Sequence, residues 1–171
     1  MDEPNEITLD GVIQRMITAL NGASDKTRIT MRRSIGVHWN LTNPKMKFAF
    51  WHLFSADDLA FIERYRKEDV MFAVASIACY QDRGSGNIEL PQYLKRKYNS
   101  PDTSDSECGR IEDLIGKPIT SSGEQLRAIV RWAVRAMEND NKLDLYRLAK
   151  DLWYWNNGKT QDRWGKIIAC A

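Results

Sequence analysis

Apolar residues recur at steps of three and four along nearly the whole chain, the period of a helix with one buried face. In EITLDGVIQRMITALN, residues 6–21, Ile7, Val12, Ile13, Met16, Ile17 and Leu20 form one such stripe, and Asn21-Gly22 ends it. DKTRITMRRSIG, residues 25–36, opens on Asp25 as N-cap and stops at Gly36. NPKMKFAFWHLF, residues 43–54, begins with Asn-Pro, a cap followed by a residue whose φ is preset for a first turn. Residues 56–80 read as one long helix, most apolar over VMFAVASIACY. QDRGSGN at 81–87 reads as a loop, and Leu90-Pro91 opens a short helix, PQYLKRKY. NSPDTSDSE at 99–107 reads as a mobile acidic linker, with Ser104 and Glu107 spaced as a capping box for a helix through Ile115. Ser121 and Glu124 form a second box ahead of QLRAIVRWAVRAMEN, residues 125–139. LDLYRLAKDLWYWN, residues 143–156, takes Asp144 as cap and ends at Asn157-Gly158, and TQDRWGKIIA, residues 160–169, closes the pattern.

Alternation at period two is absent. The expectation is an all-α helical bundle of about eight or nine helices. With 171 residues, 43% hydrophobic and 28% charged, the chain suits a single domain over 1–171 that buries a core without staples, with possible seams at 81–87 and 99–107. Trp132, Trp153, Trp155 and Trp164 lie on apolar stripes and read as core. Trp153 and Trp155 are two apart and cannot share a helix face, so one of them is expected to be partly exposed.

Candidate chemistry is narrowed mostly by exclusion. No run of about 18 apolar residues predicts a membrane span. The start, MDEPNEITLD, is acidic and unlike a secretory leader, so a cytoplasmic protein is expected. Cys79, Cys108 and Cys170 are odd in number and widely spaced with no CxxC, which argues against a disulfide framework or a zinc site. His52 sits in an apolar helical context, and His38 has no patterned partner. Phosphate-binding glycine loops, a nucleophile elbow and HExxH are all missing. The paired carboxylates Asp57-Asp58 and Glu112-Asp113 point in different directions on a helix. The expectation is a protein that is not an enzyme and uses no metal or cofactor.

Charge changes the picture. The net charge is only +2, but the first ten residues hold Asp2, Glu3, Glu6 and Asp10 and no base. The remainder is a moderately basic body, compatible with binding phosphates. Lys26, Arg28, Arg32 and Arg33 fall within eight residues with no acid after Asp25. Lys95, Arg96 and Lys97 sit between two tyrosines, and Lys159, Arg163 and Lys166 mark the closing segment, where Asp162 can pair with two of them. Arg127, Arg131 and Arg135 form one line on their helix, at a cost of roughly 0.2–0.5 kcal/mol for each like-charged pair four apart. Glu124 can reach Arg127 and Glu138 can reach Arg135, whereas Arg131 has no acid in range. Each patch alone reads equally well as a solvated helix face or as one that meets acids on another helix. Together, on separate helices and without residues poised for base edges, they suit positioning of a phosphate backbone rather than reading of sequence.

Arg28-x-x-Met31-Arg32-Arg33 resembles the Arg-x-x-Leu-Arg-Arg helix near the start of the CasB family, the small subunit of the type I-E CRISPR surveillance complex Cascade. SECGRIEDLIG, with Arg110, resembles that family's short helix of an arginine followed by paired apolar residues. The C-terminal region is the nearest match, through Leu143-Asp144, Leu148, Asp151-Leu152, Trp155 and Arg163-Trp164. The matches are in order and span most of the chain from about residue 8. Met31 stands for the family's leucine, Gly165 for an alanine, and the 81–107 region is variable, which weakens the transfer to Lys95, Arg96 and Lys97.

The resemblance implies an all-helical, non-catalytic subunit. Paired with a second copy beside the backbone subunits that hold crRNA, it would contact nucleic acid and help stabilise the R-loop. Its implied partners are crRNA, the target or displaced DNA strand, and the Cascade backbone and large subunits. It nominates Arg28, Arg32, Arg33 and Arg110, to which charge geometry adds Arg127, Arg131 and Arg135. Lys26, Lys95, Arg96, Lys97, Lys159 and Arg163 complete the candidate nucleic-acid-binding set. The alternative is a helical protein–protein adaptor whose basic surface meets acidic partners and whose aromatic C-terminal face docks one.

Overall fold

The computed structural model describes residues 6–170. They form ten α-helices: α1 (Leu9–Gly22), α2 (Asp25–Arg33), α3 (Pro44–Trp51), α4 (Ala56–Arg64), α5 (Glu68–Tyr80), α6 (Leu90–Tyr98), α7 (Asp105–Gly116), α8 (Glu124–Glu138), α9 (Leu145–Trp153) and α10 (Lys159–Ala169). Two 3₁₀ turns, Trp39–Leu41 and Trp155–Asn157, complete the described structure, and the only β pairing there is one isolated bridge between Ile88 and Leu143. The chain is an all-α bundle, with slightly more helices than its pattern predicts.

The centre is α5. Between Val70 and Cys79 it has no charge, and every residue there is buried. A helix that is apolar all round has no face to give to water. It is therefore wrapped by α1, α2, α4, α8 and α9. A second layer, α10 against α6 and α7, is held by Trp155 and Trp164, whose rings meet edge to face at 4.9 Å. One continuous set of buried side chains runs from Val12 on α1 to Ile168 on α10.

The extra helix arises at Arg66, where the expected 56–80 helix breaks into α4 and α5. Arg66 is left-handed, with φ 54°. Its amide donates to the Glu63 carbonyl and that of Lys67 to Ile62, which is the Schellman closure of a helix. An arginine stands where glycine usually does, so no residue type announces the break. The same closure recurs at Asp140, φ 62°, at the end of α8.

Caps also differ in detail. Ser24, not Asp25, caps α2, and Gly123, not Ser121, sits at the N-cap of α8. Gly123 has φ 74°, and a Cβ there would lie 2.0 Å from the His38 ring. Ser104, Asn43 and Asp144 cap their helices as expected. Ser104 accepts from the Glu107 amide, but the Glu107 side chain turns outward to cations, so the box is half formed.

The two expected seams are both stitched. The 81–87 loop is held against the strand-like entry to α9 by Gly86 N–H to Leu143 O and by the buried Gln81, whose Oε1 accepts from Leu143 N–H. Residues 99–104 fold as a turn closed by the Thr103 hydroxyl donating to the Lys97 carbonyl. All four tryptophans expected in the core are buried, Trp153 and Trp155 alike. The helix ends between them, so it is Tyr154 that turns to solvent.

Candidate nucleic-acid interface

α7 and α8 pack together with an open groove of about 350 Å³ between them. On α8 the residues turned to it follow helical spacing: Gln125, Ala128, Arg131, Trp132 and Arg135, while Glu124 and Arg127 line an adjoining hollow that shares Lys117, Gln125, Ala128 and Arg131 with it. Ala128 is the small residue that opens the groove. α7 contributes Arg110 and Asp113, and Lys117 follows at its end. The floor is apolar and rigid. Trp132 and Leu114 are buried there, and the buried Gln125 amide donates to the Leu114 carbonyl at 2.6 Å.

Arg110, Lys117, Arg127 and Arg131 have no carboxylate within ion-pairing distance among the described residues. Neither of the expected intrahelical pairs of α8 forms. Arg127 stays free of Glu124, and Glu138 accepts instead from the Tyr80 hydroxyl. Arg135 reaches across to Glu107 at 2.9 Å, with its guanidinium 4.4 Å from the centre of the Trp132 ring. Lys97 of α6 takes the same carboxylate at 3.6 Å. These cations, Arg135 foremost through its hydrogen bond, hold the Glu107 carboxyl below its ordinary range.

Arg135 also lines the next hollow, between α6 and α8, with Tyr93, Arg96, Lys97 and Asn141. Arg96 donates there to the neutral Asn141 side chain at 2.7 Å, which leaves its charge uncompensated. A basic track therefore runs from Arg127 and Lys117 through Arg131, Arg110 and Arg135 to Lys97 and Arg96. Arg110, Arg127, Arg131 and Arg135, nominated from sequence by separate arguments, are brought together. Lys117 was missed as a lone lysine before a proline. Its only signal is its place seven residues after Arg110, on the same helical face.

The other nominated cations are elsewhere. Arg28 is a correction: it is 8% exposed and is not available to a ligand. Its guanidinium donates to the carbonyls of Leu20 at 2.9 Å, Ala78 at 3.2 Å and Gln81 at 3.0 Å. These carbonyls lie at the C-terminal ends of α1 and α5, where Leu20 also accepts from the Ala23 amide at 3.3 Å, and a cation suits the negative ends of both dipoles. Arg32 places its Nε on the Cys79 carbonyl at 3.1 Å while the rest of its side chain is exposed. Arg32 lines a separate hollow with Asp25, Asp82 and Arg83, and Lys26 and Arg33 stand exposed on the same helix. That hollow and the α7–α8 groove have no lining residue in common.

Arg163 is a second correction. It pairs not with Asp162 but with Glu89 at 2.9 Å and with Asp151, in a cluster that ties α6, α9 and α10. Burial pushes the Asp151 carboxyl up, against the lowering effect of the Trp164 N–H and of Arg163. Lys95 donates to the Cys170 carbonyl at 2.7 Å, and Lys159 is exposed at the start of α10.

A groove with free guanidinium groups on an uncharged floor offers paired N–H donors to phosphate oxygens. Trp132 is covered from below and beside, so it supports the groove rather than offering a face to a base. Among the described residues, no helix is long and apolar enough to cross a membrane. Comparison with protein-family models, with curated proteins and with solved structures finds no match for this chain.

Proposed function

We propose that this chain is a non-catalytic, cytoplasmic nucleic-acid-binding subunit that holds a sugar–phosphate backbone in the α7–α8 groove without reading sequence. The observation that carries the reading is the convergence of Arg110, Lys117, Arg127 and Arg131 without carboxylate partners among the described residues. Keeping Arg127 and Arg131 four apart and unrelieved costs helix stability, and a phosphate chain offsets that cost. The ordered resemblance to the CasB family supplies the finer proposal: a small subunit of type I-E Cascade, paired with a second copy beside the crRNA-bearing backbone subunits and the large subunit. R-loop formation exchanges duplexes of similar stability, so a few backbone contacts bias it. A subunit that serves any target gains nothing from base-specific contacts.

The test is anisotropy with a random-sequence labelled single strand across a salt series. Arg131→Glu weakens binding at low salt and lowers the salt slope by about 0.7, the share of one single-strand phosphate contact. Adding Arg110→Glu and Arg127→Glu lowers it further in similar steps, with the melting temperature nearly unchanged. If the triple variant binds as the parent does, the groove is not the site. If it melts several degrees lower with binding intact, these arginines serve the fold.

A further inference from the structure

A second surface stands apart from the groove. Residues 26–56 contain no aspartate or glutamate, while holding Lys26, Arg28, Arg32, Arg33, Lys45 and Lys47. Within that stretch, the 3₁₀ turn Trp39–Leu41 and α3 form an apolar corner. α3 is apolar on both sides: Ala49 and Phe50 face the core, whereas Phe48 is 59% and Trp51 38% exposed. Leu41 is 77% exposed. A helix of this composition is normally covered on both faces. The corner is held firmly, because Trp39 packs on Phe50 at 5.1 Å and Phe72 at 5.4 Å beneath and meets Trp51 edge-on at 6.5 Å. Its rim is cationic. Lys45 is exposed, the Lys47 ammonium lies 5.5 Å from the Trp39 ring centre, and neither has a carboxylate partner among the described residues.

The geometry points to a docking site for a protein partner: an acidic amphipathic segment that sets apolar side chains against Leu41, Phe48 and Trp51 and carboxylates on Lys45 and Lys47. Stacked nucleobases fit the corner poorly. Phe48 and Trp51 cross at 80°, and Trp39 and Trp51 at 73°, so successive rings offer no parallel faces. Leu41, the most exposed of the set, has no π face at all. A second copy of this chain is a weaker fit, because three of its four other exposed large apolar residues are themselves beside cations, and the fourth, Tyr154, stands singly at the end of α9. Ile29 lies next to Arg28 and near Arg32 and Arg33, Tyr65 lies between Arg64 and Arg66, and Tyr146 precedes Arg147. An acidic partner supplies both the apolar cover and the missing countercharge.

The probe is a labelled helical peptide of Glu, Leu and Phe, compared with the same peptide carrying Lys for Glu and with a random single-stranded DNA. The acidic peptide binds and the lysine peptide does not. Phe48→Ser, and separately Lys45→Glu with Lys47→Glu, weaken the acidic peptide at least about tenfold, as truncation of an anchor residue does. DNA binding is unchanged in Phe48→Ser, and its melting temperature holds because the side chain is exposed. The proposal is overturned if the acidic peptide fails to bind or binds Phe48→Ser as tightly as the parent. It is equally overturned if Phe48→Ser instead loses DNA affinity, which makes the corner a base-stacking site, or abolishes self-association of the chain, which makes it a homotypic interface.

Discussion

Replacing Arg28 with methionine keeps most of the aliphatic stem and removes the guanidinium. Ala78 and Gln81 at the end of α5 then lose a donor, and Leu20 at the end of α1 keeps the Ala23 amide at 3.3 Å in place of two donors. Hydrogen bonds to a charged group contribute about 1.5–3 kcal/mol each, although water entering at the Gln81 side recovers part of that. A loss of about 3–5 kcal/mol follows, in the range measured when a buried polar network is broken. For a chain of this length each kcal/mol moves the melting temperature by about 2–4 °C, so a drop of about 6–20 °C is expected. Arg28→Lys, with one ammonium in place of the fork, keeps one or two of the bonds and falls between. Thermal melting by circular dichroism, with single-strand binding measured well below the transition, separates stability from function. The folded fraction of Arg28→Met binds as the parent does. A melting temperature within about 2 °C of the parent, or a folded variant that no longer binds, refutes the assignment of Arg28 to the joined ends of α1 and α5.

Further outcomes follow from the same contacts. Glu107→Gln releases Arg135 and Lys97 into the basic track, so single-strand affinity rises at low salt and the slope steepens by about 0.7 for each cation recruited. The Glu107 carboxyl is held below its ordinary value, so its ion pairs stabilise the fold above its unfolded pKa and are lost as pH falls through the lowered folded value. Acid melts of the parent and of Glu107→Gln therefore converge at low pH and separate toward neutrality. Arg66→Gly relieves a left-handed arginine in the turn between α4 and α5, and raises stability by about 0.5–1 kcal/mol in denaturant titration. Gly123→Ala loses at least about 2 kcal/mol, because strain at φ 74° adds to displacement of the His38 ring. A neutral result there would mean that His38 moves aside freely.

The core and the class of the fold were legible because they follow from local periodicity. Val12, Ile13, Met16, Ile17 and Leu20 are read off one stripe and are all buried. The uncharged Val70–Cys79 run reads as the most buried part of the chain, and it is. Caps built on side chains, such as Asn43 and Asp144, were also legible. Those built on backbone shape were not: Arg66 and Asp140 close helices as glycine would, and neither residue type signals it.

The sequence by itself determined that the chain folds as packed helices, which side chains make the core, and that cations cluster on several helices. Only the tertiary structure decided which of those cations are free. Arg28 is consumed by carbonyls 50 and 53 residues onward, Arg163 by a carboxylate 74 residues back, and Arg135 by Glu107 from the neighbouring helix. Arg110, Lys117 and Arg131 line one groove and Arg127 the hollow that adjoins it, with no such partner among the described residues. Helical spacing places a charge on a face. Whether that charge is neutralised depends on which carbonyl or carboxylate another helix brings within about 3 Å, and hydrogen-bond reach is too short for any local pattern to encode it.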